Sequence, residues 1–233
     1  MSQLQYWAWL SMRFGVRPKM KLALVEHFGT PRDVYFATEA DYRVRVPLRP
    51  EELRLLLDKD LKDANRALAI CDREHIRILT IQDAAYPQRL LQIYDPPLVL
   101  YVRGTLPQLD DRAAVAVVGT RRMTPYGQQM ADRLIGELAD RVADTVIVSG
   151  LAFGIDTACH RAALAFGMPT VGIIASALPG ITPAQHTAVA RDMIEHGGAV
   201  VSELHSQTRQ NGNFYHSRNR LLAGISGGTV VVE

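Results

Sequence analysis

The chain has 233 residues, of which 48% are hydrophobic and 21% charged, with a formal net charge of +2. That is enough for one large or two small globular domains with a real core, and global charge identifies no partner. Two cysteines without CxxC spacing, Cys71 and Cys159, exclude a disulfide framework and fit a reducing cytoplasm. No apolar run reaches membrane-spanning length, and residues 1–10 are too short and aromatic for a signal peptide, so a cytoplasmic protein without a membrane partner is expected.

Residues 1–75 read as short helices without a strand and form a candidate domain. Trp7, Leu10 and Phe14 fall at helical spacing. Leu22, Val25 and Phe28 do the same, and that helix stops at Gly29, a residue type that commonly follows a helix end. Thr30-Pro31 supplies an N-cap and a first-turn proline. Further helices are predicted from Pro50 through Leu57 and over residues 60–74. The basic residues Arg13, Arg17, Lys19, Lys21, Arg32, Arg43 and Arg45 read either as a solvated face of an interaction domain or as nucleic-acid contacts.

From Ile76 the pattern changes. Residues 76–81 alternate like a strand, Tyr86-Pro87 opens a short helix, and residues 97–102 form another strand candidate. Short apolar runs follow at 115–118, 146–148, 170–174, 199–201 and 230–232, with helices between them at 125–142, 155–166, 183–196 and 217–224. Runs with so little polar alternation predict strands covered on both faces. Alternating strands and helices predict an α/β fold, a doubly wound and mainly parallel sheet, over residues 76–233.

The carboxyl ends of parallel strands share one edge, where α/β proteins place ligands. The first delivers Gly119, Thr120, Arg121 and Arg122; the second Ser149, Gly150, Leu151, Ala152, Phe153 and Gly154, ahead of Asp156. A later loop and turn, residues 204–220, carries Arg209, Arg218 and Arg220 with Phe214, Tyr215 and Asn219, and contains no acidic residue. Arginines for phosphates, rings for bases and amides for edges suit a single-strand binder. Each residue also has a plainer reading. Arg218 and Arg220 could pair with carboxylates, Phe214 could be core, and Gly150 and Gly154 could serve only tight packing. His160 reads as a hydrogen-bonding residue, and Asp156 as a helix cap or an arginine-orienting group. No GxGxxG run, ribose-binding acid, Walker A sequence, GxSxG elbow or metal spacing is present.

At these residues the chain resembles the DNA-processing protein A family, also called Smf, over residues 79–233. The marks are Tyr86-Pro87, the Asp95-Pro96-Pro97 segment through Gly104, Gly119-Thr120-Arg121-Arg122 with Tyr126-Gly127, Ser149 through Asp156 with His160, and Arg218-Asn219-Arg220 through Gly224. The resemblance implies an extended Rossmann-like domain preceded by a small sterile-alpha-motif-like helical domain. It also implies a non-enzymatic single-stranded-DNA binder without a cofactor, which dimerises and helps load the RecA recombinase in natural transformation. Carried over, Arg121 and Arg122 would hold phosphate and the turn from Ser149 to Gly154 would present backbone N–H groups. Arg218, Asn219 and Arg220 would line the pocket, and Phe214 would receive a base.

Three departures from the family pattern are present. Phe153 stands where relatives often carry Arg or Lys. Phe214-Tyr215-His216-Ser217 is one residue longer than the usual Phe-Pro before the Arg-Asn-Arg run. Relatives continue past the position of Glu233, so the sequence is expected to be a fragment. Two other readings stay open: a phosphoribohydrolase-like nucleotide-processing enzyme, from a partial likeness of residues 226–233, and an adaptor whose helical domain does the main work.

Overall fold

The computed structural model describes residues 3–209 and 211–233. Among the described residues six helices come first: α1 (Leu4–Ser11), α2 (Pro18–Phe28), α3 (Pro31–Phe36), α4 (Glu39–Arg45), α5 (Pro50–Leu57) and α6 (Lys62–Arg73). Local chemistry sets several of their ends. Gly29 takes φ 85°, a conformation that favours glycine, and its N–H closes α2 on the Val25 carbonyl. The Thr30 hydroxyl accepts from the Asp33 N–H to start α3. A reciprocal Thr38–Asp41 capping box starts α4, a helix whose single buried residue, Tyr42, left no apolar period to read. Phe14 is not part of α1. The helix stops at Ser11 and the chain tightens into turns, leaving the Phe14 ring 55% exposed.

Seven strands among the described residues form one sheet: β1 (Ile76–Thr80), β2 (Val99–Gly104), β3 (Ala114–Gly119), β4 (Val146–Ser149), β5 (Thr170–Ile173), β6 (Ala199–Ser202) and β7 (Gly228–Val232). Their order is β1-β2-β6-β5-β4-β3-β7. The five from β6 to β7 are parallel, while β1 and β2 are antiparallel. This is the doubly wound, mainly parallel sheet that the alternating pattern predicts, in the Rossmann-like form that the family resemblance implies.

Helices cover both faces. α7 (Pro125–Arg141) and α8 (Ile155–Ala165) pack on Val117 and Ile147. On the opposite face α10 (Asn213–Ile225) packs Leu221, Leu222 and Ile225 against Val146, Val148, Val171 and Val201. Alternate residues of one strand thus enter different cores, as a period of two requires. α9 (Thr187–Glu195) lies on Val200, the neighbour of Val201, in a third cluster that also holds Trp9, Leu10 and Leu24 of the helical segment. The leading helices therefore share a continuous core with β2 and α9.

Two expectations need correction. Burial on both faces holds for β4, β5 and β6 but not for β7, which is an edge strand with Val231 71% exposed. The last major helix begins at Asn213, not 217, because Asn211 and Gly212 carbonyls accept from the N–H groups of Phe214 and Tyr215. Both rings therefore belong to the first turn of α10, not to the preceding loop.

Candidate functional site

β3 is followed in sequence by β4 on one side and flanked by β7 on the other, so the winding reverses at β3. The carboxyl ends of strands at such a reversal diverge and leave a crevice. Here a cleft of about 720 Å³ opens, lined among others by Gly119, Arg121, Ala152, Asp156, Tyr215 and Arg218.

Its floor is backbone. The Thr120 N–H donates to the Glu233 carbonyl and the Ile155 N–H to the Thr120 carbonyl, both at 3.1 Å. Gly154 has φ 79°, and a Cβ there would overlap the Thr120 carbonyl. The turns after β3 and β4 thus meet backbone to backbone, which only glycine permits.

Gly150 clears a different space. A Cβ on it would overlap the Asp156 carboxylate and both terminal nitrogens of Arg218. Asp156 and Arg218 are 6% and 7% exposed, so a carboxylate and a guanidinium are buried side by side where that methyl would sit. Burial pushes the Asp156 pKa up and Arg218 opposes the rise. Burial likewise lowers the Arg218 pKa, with Asp156 opposing it. Arg218 also donates to the Ile173 carbonyl, and the Ala152 N–H donates to Asp156 Oδ2 at 3.3 Å. Asp156 does not cap α8, whose N-cap is Gly154 with no side-chain cap bond; its carboxylate ties the turn ahead of the helix and faces an arginine.

The structure brings some candidate residues together and separates others. Gly119, Arg121, Ala152, Arg218 and Asn219 line the cleft. Arg121 is exposed, with its guanidinium 5.0 Å from the centre of the Tyr215 ring. Arg122 is exposed just outside, its N–H held by the Thr120 hydroxyl at 3.1 Å. Ser149, Gly150 and Leu151 are buried, and the Ser149 hydroxyl donates to the Val117 carbonyl at 2.5 Å. With the Ala152 N–H engaged by Asp156, the turn is a braced support more than an open row of donors. Phe153 is 48% exposed and meets His186 edge-on at 4.8 Å.

Phe214 and Arg220 face elsewhere. Arg220 bridges Asp95 at 2.9 Å and Glu203 at 2.7 Å, the carboxylate pairing that the sequence left open, and both residues line a separate cavity. His160 is fully buried. Its Nε2 donates to the Gly150 carbonyl at 2.6 Å, and Nδ1 lies 2.7 Å from the Thr170 hydroxyl. Burial pushes its pKa down to about 4, so the ring is neutral, and the Thr170 hydroxyl that Nδ1 faces also lies 2.9 Å from the Ile147 carbonyl. His160 is the hydrogen-bonding residue that its helical position suggests.

Sequence reasoning counted Tyr215 among the rings of the cationic loop but chose Phe214 to receive a base, and it assigned no role to His186. Tyr215 adjoins Phe214, and with consecutive helix residues pointing about 100° apart the two rings line different cavities. His186 braces the turn from outside, with Nδ1 2.8 Å from the Leu151 carbonyl, and nothing in its local sequence signals that role.

The basic residues of the helical segment are largely engaged within the protein. Glu52 accepts from the Arg17 side chain twice at 2.7 Å and from the backbone N–H groups of Arg17 and Arg49. Arg13 pairs with Asp58 at 3.3 Å and Arg43 with Glu39 at 2.6 Å, while Lys21 is buried on the Ser11 carbonyl.

The family model for DNA recombination-mediator protein A matches residues 77–233. The chain is similar to DNA processing protein DprA of Bacillus subtilis, with 35% identity over 168 residues, 72% of this chain and 56% of that protein. Protein Smf of Escherichia coli is 33% identical over 172 residues, 74% of this chain and 45% of that protein. The chain thus spans about half the length of these relatives. The crystal structure of DprA from Streptococcus pneumoniae superposes with a TM-score of 0.76 at 28% identity, covering 98% of this chain and 77% of that one. A Helicobacter pylori DprA structure, described as showing a single-stranded-DNA binding mode, gives 0.58 at 30% identity over 68% and 70% of the two chains.

Proposed function

The chain belongs to the DNA recombination-mediator protein A family, and from that premise we propose that it binds single-stranded DNA in the cleft between β3 and β7. The observation that carries this reading is Arg121, an exposed cation poised over the Tyr215 ring at the point where the strand order reverses. A guanidinium takes a phosphate and an adjacent ring takes a base, the pairing on which sequence-tolerant strand binding rests. Arg218 is a second cation, placed deeper and beside the Asp156 carboxylate, so its part is to shape the cleft and add to its potential. We propose further, as the family resemblance drawn from the sequence implies, that it assists a RecA-type recombinase on incoming DNA in the cytoplasm, as a dimer and without chemistry of its own.

Two features favour binding over catalysis. Glu233, on which the nucleotide-processing alternative depends, accepts from the N–H and hydroxyl of Thr124, the N-cap of α7, at 3.0 and 3.2 Å and so is engaged in holding that cap. His160 is buried and committed to its hydrogen bonds.

The test is a salt-titrated binding assay with single- and double-stranded oligonucleotides. Single strands should bind more tightly. Arg121→Ala should weaken them and reduce the slope of log K against log salt by about 0.7, the value for one phosphate contact on a single strand. Equal affinity for both forms, or an unchanged slope, would overturn the proposal.

A further inference from the structure

A second cavity, about 230 Å³, opens at the same edge of the sheet, between the leading helices and the α/β unit. Its walls include Phe14 and Lys21 from the helices and Pro97, Glu203, Phe214 and Arg220 from the other side. Phe14 is 55% exposed although it is a large ring; it stacks on His205 at 5.6 Å and lies 6.4 Å from Phe214. Lys21 is only 8% exposed, and its ammonium donates to the Ser11 carbonyl at 2.8 Å, one bond from a group that carries three donors. Beside the cavity, Lys19 stands 3.8 Å from the centre of the exposed Tyr94 ring. Rings and cations are thus interleaved along a junction that neither unit forms alone.

Phe214 and Tyr215 connect this cavity to the cleft already described. They are consecutive in the first turn of α10, so their side chains diverge: Tyr215 enters the Arg121 cleft and Phe214 enters this cavity. The start of α10 stands between the two spaces, with Gly212 and Asn213 exposed and no acidic residue in its first turn. The N–H groups of Asn213, Phe214 and Tyr215 are taken by Asn211 and Gly212, so what the helix start offers a crossing phosphate is its dipole.

We infer that the cavity between the helical segment and the sheet is a nucleobase subsite, in which an unstacked base of the strand held at Arg121 lies against the Phe14–Phe214 wall. This rests on the single-strand reading and deepens it, because it makes the leading helices part of the DNA path. The occupant is a base and not a protein side chain because the cavity adjoins a polyanion site across one helix turn. Its walls also offer what a base uses: ring faces for stacking, and Lys21 N–H groups for acceptor atoms on the base edge.

The experiment compares a long oligothymidylate with an abasic phosphodiester strand of equal length, measured by fluorescence anisotropy. Phe14→Ala should weaken oligothymidylate binding by roughly 5- to 150-fold, the range for one lost base–aromatic stack, and leave the abasic strand unaffected. Phe14→Trp should keep the affinity and Phe14→Leu should lose it, which separates ring stacking from apolar packing in proteins that fold alike. Equal binding by the Trp and Leu variants overturns the inference. So does wild-type affinity in both Phe14→Ala and Phe214→Ala while Arg121→Ala is weakened. If Arg121→Ala is also unchanged, the single-strand reading itself has failed.

Discussion

Arg218 and Asp156 make the sharpest energetic test of how the cleft is built. Both are almost fully buried, and both occupy the space that Gly150 leaves free. Asp156 Oδ2 and both terminal nitrogens of Arg218 lie within 2.7 Å of the Cβ that Gly150 lacks, and opposite unit charges roughly 4–5 Å apart attract by roughly 3–4 kcal/mol at an effective dielectric of about 20. Removing one partner of a buried pair costs about 3–5 kcal/mol, because the remaining charge is left without compensation. Arg218→Met should therefore destabilise the protein by about 3 kcal/mol at pH 7, a fall in Tm of roughly 6–12 °C for a chain of this size. The partner change Asp156→Asn removes the stranded charge, so the double variant should lose clearly less than the sum of the singles. The pH dependence has a definite sign. The folded Asp156 pKa is raised, and losing Arg218 raises it further, so the penalty is absent below the unfolded pKa and grows as pH rises toward the folded one. The Arg218→Met deficit should thus be smaller near pH 4 than at pH 7. Urea or thermal denaturation of the four proteins measures all of this. Additive losses, or an Arg218→Met cost under about 0.5 kcal/mol, would refute the buried-pair account. The consequence for binding assays is practical: Arg121 is the clean probe of phosphate contact, and Arg218 is a structural residue as well.

Two further outcomes follow from buried titrating groups. His160 is neutral when folded, with a pKa lowered to about 4, so its stabilisation is complete above the unfolded value near 6.5 and is lost as pH falls from there toward 4. His160→Gln should flatten the stability profile over that interval, and an identical profile would refute the assignment. Glu52, hydrogen-bonded by Arg17 and by the Arg17 and Arg49 N–H groups, has its pKa lowered to about 2. Its contribution is complete above the unfolded value near 4.5 and is lost as pH falls toward 2. Glu52→Gln should cost about 2 kcal/mol at pH 7, less than for a wholly buried pair because Arg17 is 39% exposed, as read by urea denaturation; a cost near zero would refute the hub role.

Much of the architecture was written in local signals. Short apolar runs separated by amphipathic segments, Gly29 after α2, and Thr30-Pro31 ahead of α3 each act over a few residues, so each was readable in one dimension. So was the convergence of Arg121 and the Ser149 to Gly154 turn on one edge, which follows from parallel strands alone. Direction and partnership were not readable. Arg218 and Arg220 are two residues apart on one helix, yet one enters the cleft beside Asp156 and the other bridges Asp95 and Glu203. Phe214 and Tyr215 are adjacent, yet they face different cavities. Helix rotation and the position of distant carboxylates decide such cases, and neither leaves a mark on the neighbouring sequence.

The same division holds at the turn after β4. Its composition, with Gly150 and Gly154 around a short apolar stretch, specified by itself a tight strand-to-helix turn at a ligand-bearing edge. What each glycine is for depended on remote atoms: the Thr120 carbonyl pressed against Gly154, and the Arg218 guanidinium seated beside Gly150. Backbone freedom is a property of the residue itself. The space that freedom opens is filled by parts of the chain many residues away, so only the tertiary structure shows which charge occupies it.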